Sequence, residues 1–327
     1  MSGVLRAELV RLRVRRFTWL VLVVVTIVSA SVAVYAWSEA RHPTATEIAA
    51  AHEAYQEDVA RWAAEGLARC EKTSRDAVAQ GVPGLDCDRM GPTAESYVLD
   101  PPSFRDDGVP HLGQLAAPVV IGALLLGASL VTAEFGAGSM GLWLTFVAPR
   151  ARVFRAKAAA AGVGGAAVGL LAGAVGAGGT AIAFAVLHRL HPGAASAVGA
   201  TAGALGRLAL LGALAGVVGA GLGFALRHVA VVMGVALWWV LSVELVAPLA
   251  WARAQPLTLG LNVRAWVDGR ATYTVQEWVP DPTLAGALVR GDVDHVVGAL
   301  QGGLVLALAA AVVTAVGLVV FCARDVT

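Results

Sequence analysis

The chain contains two lysines, Lys72 and Lys157, and their neighbours decide whether either could belong to a phosphate-binding loop. Such a loop reads GxxxxGK[ST], with a glycine directly before the lysine that contacts the phosphates. Glu71 precedes Lys72 and Ala156 precedes Lys157, so neither lysine fits the motif. If ATP hydrolysis drives this protein, the ATPase must therefore be a separate chain.

Hydrolase motifs are incomplete as well. Ala137 stands where a G-x-S-x-G nucleophile elbow around Ser139 needs its first glycine. His52 and Glu53 are followed by Ala-Tyr-Gln, which excludes an HExxH zinc motif there. We expect no catalytic residues, no metal site and no cofactor bound by this chain, which would then not be an enzyme.

Two charged residues lie in or beside long apolar runs. Glu244 lies within WWVLSVELVAPLA, and Arg207 begins another apolar run. Ionisable residues inside a membrane segment often mark a translocation pathway. Two interpretations remain open: a pathway role, or a structural role through a mutual salt bridge or exposure at the membrane interface.

The apolar runs themselves define the class of protein. The chain is 57% hydrophobic and 14% charged, which is typical of integral membrane proteins. A helix needs roughly 20 apolar residues to cross a bilayer, and helices satisfy their own backbone in lipid. We predict an all-α polytopic membrane protein with six transmembrane helices. They lie at 17–37, 114–133, 158–187, 207–226, 229–250 and 296–322.

Glycines recur at four-residue spacing in two of these predicted spans. Gly165, Gly169 and Gly173 lie in the third span, and Gly212 and Gly216 lie in the fourth. Small residues at this spacing allow the backbones of two helices to approach closely. The pattern predicts close packing of these helices.

Arginines before the first span set the orientation. Cytoplasmic flanks are rich in Lys and Arg, which predicts that the N-terminus is cytoplasmic. Six crossings then place the turn 134–157 and the C-terminus in the cytoplasm, and the segments 38–113 and 251–295 outside. The segment 38–113 has seven basic and fourteen acidic residues, a net charge of 7 − 14 = −7. We expect a multi-pass protein of a bacterial inner (plasma) membrane, in contact with lipid and not with nucleic acid.

The outer segment 38–113 is predicted to be a helical extracytoplasmic cap. Thr44 and Glu47 form a capping-box pattern that would begin a helix. Cys70 and Cys87 fall where disulfides persist, which favours a bond between them over two unpaired buried thiols. The cap could gate or bind a substrate, or have neither role.

The N-terminal residues 1–16 are predicted to form an amphipathic helix on the inner membrane surface. Leu5, Leu9 and Leu12 recur at helical spacing. The basic side of this interface helix includes Arg11, Arg13 and Arg15. The alternative is a basic flank that only obeys the charge rule for cytoplasmic segments.

The cytoplasmic turn 134–157 reads EFGAGSMGLWLTFVAPRARVFRAK. Met140, Trp143 and Leu144 recur at helical spacing, which suits a short helix that binds in a groove of another protein. The alternative is a helix that lies on lipid with its tryptophan among the headgroups.

These features resemble the permease subunits of type-2 ABC exporters. The resemblance rests on Glu134, Gly138-Ser139, Leu144, Pro149-Arg150 and Lys157, on the opening RAELVRLRVRRFTWL, on the six-span plan and on the closing Arg324-Asp325-Val326. The outer segment 38–113 is larger than the short first outer loop of many members.

The resemblance implies a dimer of permease subunits, identical or different. Each subunit would receive an ABC ATPase subunit that carries ATP and magnesium. The turn 134–157 would be the coupling helix, seated in the ATPase together with the N-terminal helix. Its contact set would be Glu134, Phe135, Gly138, Ser139, Met140, Trp143, Leu144, Pro149, Arg150, Arg152 and Lys157. The alternative function is a membrane-anchored interaction or assembly protein that acts through its extracytoplasmic cap.

Overall fold

The computed structural model describes residues 2–79, 81, 83–98, 104, 108–146, 149–187, 194–280 and 288–324. Its α-helices are α1 Ser2–Val14, α2 Arg16–Ala40, α3 Ala45–Arg61, α4 Leu67–Ala79, α5 Ala116–Gly136, α6 Ser139–Phe146, α7 Arg150–Val186, α8 Ala194–Leu226, α9 Val229–Trp239, α10 Ala247–Ala250, α11 Leu259–Asp268 and α12 Ala299–Ala323. Wider π-helical turns join α3 to α4 (Trp62–Gly66) and α9 to α10 (Val240–Val246). Short 3₁₀ helices lie at Cys87–Arg89, Ala94–Tyr97, Pro110–Leu115 and Ala252–Leu257.

Within the described residues, six helical segments are long and apolar enough to cross a membrane. They are Arg16–Ala40, Pro110–Gly136, Arg150–Val186, Ala197–Leu226, Val229–Ala250 and Ala299–Ala323. The prediction of an all-α polytopic protein is confirmed in its main feature, six helices long and apolar enough to cross a membrane. Two helices begin well before the predicted spans: α7 begins at Arg150 rather than 158, and α8 begins at Ala194 rather than 207.

The sheet was not predicted. Strands β1 Arg270–Pro280 and β2 Leu288–Gly298 pair in a two-stranded sheet. The protein is therefore predominantly helical rather than entirely helical. β1 is rich in β-branched and aromatic residues and β2 in valine, as is typical of strands. Burial alternates along much of both strands, because successive side chains point to opposite faces of a sheet.

The chain divides into two compact units. The first comprises Met1–Ala40, Pro102–Thr274 and Asp294–Thr327, and contains the six span-length helices. The second comprises Arg41–Pro101 and Val275–Val293.

The core of the first unit surrounds α8. This helix packs against α5, α7 and α12, while α1 and α2 pack against α7. The span-length segments differ strongly in burial. Of the residues in an 18-residue apolar stretch, 61% are buried in Pro110–Gly136 and only 6% in Val229–Ala250. Val229–Ala250 is therefore peripheral in a single copy of the chain.

The second unit contains α3 and α4. Thr44 accepts a hydrogen bond from the backbone N–H of Glu47, and the Glu47 carboxylate accepts one from the Thr44 N–H in return, which confirms the predicted capping box. These bonds, with Arg41 beside them, lower the pKa of Glu47 to about 2. The sulfur atoms of Cys70 and Cys87 lie 2.06 Å apart, at bonding distance.

Candidate functional site

A buried cluster of charges joins α1, α5 and α7 at one end of the first unit. Lys157 is 0% exposed, and its Nζ donates hydrogen bonds to Oε2 of Glu8 at 2.9 Å and to Oε1 of Glu134 at 2.6 Å. Arg11 donates to the same oxygen of Glu134 at 2.5 Å and lies 3.5 Å from Oε1 of Glu8. Two carboxylates thus face two cations. These four side chains, Glu8, Arg11, Glu134 and Lys157, are called the ion cluster, and their formal charges sum to zero.

One oxygen of the ion cluster is left over. Oε2 of Glu134 is buried and accepts no hydrogen bond from the described part of the chain. Both donors, Lys157 and Arg11, converge instead on Oε1. A buried carboxylate oxygen without a donor is costly. This oxygen is bonded to the same carbon as Oε1, so an unused acceptor lies next to the one that both cations contact.

The leucine stripe of α1 faces the helix bundle. Leu12 is buried in the core, and Leu5 and Leu9 pack against it. Glu8 lies on the same face, 1% exposed, because positions 5, 8, 9 and 12 share one side of a helix. These leucines were expected to lie on the membrane surface. They face protein instead, since the stripe carries a carboxylate that pairs with Lys157.

The helix α6 turns a different side outward from the one expected. Met140 is 1% exposed, and Leu144 packs against the core. The outward residues are Leu142 and Phe146, which are 63% and 80% exposed. They are four positions apart, so they lie on one face of α6. The exposed apolar face of α6 is therefore formed by Leu142 and Phe146 rather than by Met140 and Leu144.

Trp143 lies between these two sides of α6. Its ring lies under the guanidinium of Arg11, 4.6 Å from ring centroid to Cζ. Arg11 therefore contacts both α6 and the ion cluster. Ser139, at the start of α6, donates a 3.4 Å hydrogen bond to the carbonyl of Glu134.

The other predicted contact residues divide between internal and exposed positions. Phe135 makes edge contacts with Phe224 and Phe321 inside the unit. Arg150 donates to the carbonyls of Cys322 and Arg324, both at 2.9 Å, which joins the start of α7 to the end of α12. Exposed positions are Gly138, Pro149 and Arg152.

The basic residues of α1 also differ from one another. Arg13 is exposed, whereas Arg15, just after α1, donates to the carbonyl of Ser129 on α5 at 3.0 Å. Of the closing residues, Arg324 is described, while Asp325 and Val326 lie outside the described residues.

Glu134 and Lys157 were expected to contact a partner directly. Both are buried within the protein instead, so any influence on a partner passes through neighbours such as Arg11 and α6. Glu8 was not predicted at all. Its place in the Leu5, Leu9, Leu12 stripe was the available indication, since a carboxylate on an apolar face needs a buried cation.

Glu244 and Arg207 do not pair with each other. The Glu244 carboxylate accepts hydrogen bonds from the backbone N–H groups of Leu259 at 2.8 Å and Gly260 at 2.7 Å, and from Trp239 at 3.0 Å. It therefore caps the N-terminus of α11, where the helix dipole favours negative charge.

Arg207 serves the other end of α11. It donates to the carbonyl of Val267 at 3.2 Å, and its own carbonyl accepts from Trp266 at 3.0 Å. Burial raises the pKa of Asp268, the last residue of α11, and the positive charges of Arg264 and Arg207 offset part of that rise. Glu244 and Arg207 thus make their hydrogen bonds at opposite ends of α11 rather than to each other.

Comparison with known proteins adds no family: neither the models of known protein families nor the curated proteins include a match to this chain.

Proposed function

We propose that this protein is the permease subunit of an ABC transporter, an exporter driven by ATP hydrolysis on a separate ATPase subunit. The observation that carries the proposal is the pair Leu142 and Phe146, exposed on a helix that lies between two span-length helices. Apolar side chains on one face of a short helix suit insertion into a groove of another protein. The absence of a phosphate-loop lysine from the sequence supports a separate ATPase, which would bind ATP and magnesium.

The proposal includes an orientation in the membrane. With the N-terminus, α6 and the C-terminus in the cytoplasm, the arginine-rich start of the chain lies inside, and the acidic segment 38–113 lies outside. The membrane would be a bacterial inner membrane.

The proposal also includes a second permease subunit, identical or different. A transport pathway needs walls on all sides, and Val229–Ala250 is almost unburied in a single copy of the chain. Its outward face includes Trp238 and Leu241.

The direct test is purification of the tagged full-length chain from its native host in mild detergent. We expect a co-purified protein that contains a phosphate-binding loop, and a complex that hydrolyses ATP. Leu142→Asp with Phe146→Asp should abolish co-purification and leave membrane insertion intact, because two carboxylates cannot enter an apolar groove without a large desolvation cost. Leu142→Met with Phe146→Leu is the matched control and should retain the partner, because it keeps the surface apolar.

Two results would contradict the proposal. One is a wild-type chain that brings no ATPase subunit with it. The other is an aspartate variant that still binds the ATPase fully, which would remove α6 from the contact. Capture of extracytoplasmic proteins through the second unit, with no ATPase, would favour the interaction or assembly function instead. An open cavity of about 620 Å³ in that unit, lined in part by Trp62, Cys70 and Met90, offers such proteins a surface.

A further inference from the structure

Arg11 connects the exposed helix α6 with the buried ion cluster. Its guanidinium covers the ring of Trp143 on α6 and donates to Glu134 on α5, while Glu8, one turn earlier on α1, binds Lys157 on α7. A planar guanidinium can stack on an aromatic face and donate to a carboxylate at the same time. Arg11 is therefore the side chain through which a movement of α6 would act on the ion cluster.

The ion cluster offers Arg11 a second arrangement. The orphaned Oε2 of Glu134 is buried beside an oxygen that already accepts from both cations. Transfer of Arg11 from Oε1 to Oε2 would keep every charge paired and give the unused oxygen a donor. Such an exchange would leave no buried charge without a partner, which is the strongly destabilising outcome for a buried ion pair.

We propose that Arg11 is a positioning residue that transmits movement of α6 to the span-length helices α5 and α7, by shifting its hydrogen bond within the ion cluster. This inference rests on the proposed function, because it assumes that an ATPase subunit moves α6. Arg11 itself is turned toward the protein; the contact surface for the partner is Leu142 and Phe146.

The test follows the ends of α5 and α7 that lie opposite the ion cluster. Spin labels at Ile121→Cys and Ile182→Cys occupy exposed positions there, in a Cys322→Ser background that removes the free cysteine. The distance between the labels is measured in the full complex with its ATPase subunit, in lipid nanodiscs, without nucleotide and with magnesium, ATP and vanadate. The complex with wild-type Arg11 should show a nucleotide-dependent change in distance.

Variants that break the contact between Arg11 and Trp143 should lose this nucleotide-dependent change in distance but still bind the ATPase subunit. Arg11→Gln removes the charge, and Trp143→Leu removes the aromatic face but keeps an apolar side chain. Arg11→Lys should give an intermediate change, because an ammonium group can reach Glu134 but lacks the planar stacking surface. Co-purification of the ATPase subunit should remain at the wild-type level in all three variants.

The outcomes separate the two proposals. If the wild-type chain binds no ATPase subunit, the proposed function fails and the inference fails with it. If the ATPase subunit binds but Arg11→Gln and Trp143→Leu keep the wild-type distance change, only the inference is overturned. Loss of co-purification in Arg11→Gln would also overturn it, because Arg11 would then be a contact residue. Loss of the distance change with retained binding supports it.

Discussion

Lys157 is the residue on which the ion cluster depends. It is buried in a helix that crosses the core, and its ammonium group faces two carboxylates from two other helices. Burial of charges costs several kcal/mol per ion unless pairing compensates it, so the value of Lys157 lies in the partners it neutralises. Arg11, which is partly exposed, can neutralise only part of the remaining charge.

We expect Lys157→Met to be strongly destabilising, by about 3–5 kcal/mol, because it leaves Glu8 and Glu134 buried with one partly exposed cation. The measurement is the apparent melting temperature of the detergent-purified chain, together with its yield in the membrane. Lys72→Met, at an exposed position of the second unit, is the control and should melt like the wild type. Equal melting of the two variants would show that the ion cluster contributes little.

Helices α7 and α8 owe their close packing to glycine. A Cβ atom at Gly165 would lie 2.0 Å from the carbonyl oxygen of Gly212, and one at Gly212 would lie 2.2 Å from that of Gly165. Neither clash is relieved by a side-chain rotation, because the opposing atoms belong to backbone. The four-residue glycine spacing read from the sequence is therefore confirmed as a packing feature.

We expect Gly165→Ala to force α7 and α8 apart and to lower the apparent melting temperature, through the strain of overpacking, which typically costs about 1–3 kcal/mol. Gly178→Ala on the same helix is the matched control. A Cβ atom there meets no atom of the described residues within 4 Å, so this variant should be neutral or slightly stabilising, since alanine favours helix. A neutral Gly165→Ala would mean that the two helices are less closely packed than described.

At the scale of the whole molecule, the acidic residues and the cysteine pair are concentrated in the same segment. The acidic segment 38–113 contains both Cys70 and Cys87, whereas the arginine-rich residues 6–16 precede the first span-length helix. Disulfides persist in oxidising compartments, so the state of this cysteine pair reports on which side of the membrane the second unit lies.

We expect the purified chain to migrate differently in denaturing gels with and without reductant, because the loop between Cys70 and Cys87 is closed when oxidised. Cys70→Ser should abolish the difference, and Cys322→Ser should retain it. Reduced thiols at both positions in the chain isolated under alkylation would contradict an extracytoplasmic second unit.

Local patterns in the sequence were sufficient for features that depend on neighbours along the chain. Six apolar stretches predicted span-length helices, because a bilayer-length run of apolar side chains has few alternatives to a helix. The Thr44–Glu47 capping box and the Gly165 pattern could be read in the same way. Alternation along 270–280 was the local indication of β1, whereas the prediction for 251–295 was an extracytoplasmic segment without a sheet.

The tertiary structure decided which residues meet and which way each helix faces. Glu8, Glu134 and Lys157 are far apart in the chain, so their pairing depends on how α1, α5 and α7 pack rather than on any local pattern. The rotation of α6 was equally undetermined, because apolar residues lie on several of its sides and only packing distinguishes the buried Met140 from the exposed Phe146. The sequence determined that this is a multi-pass helical protein without a phosphate-binding loop. Only long-range packing decided that Glu134 and Lys157, expected to contact a partner, are buried inside the protein.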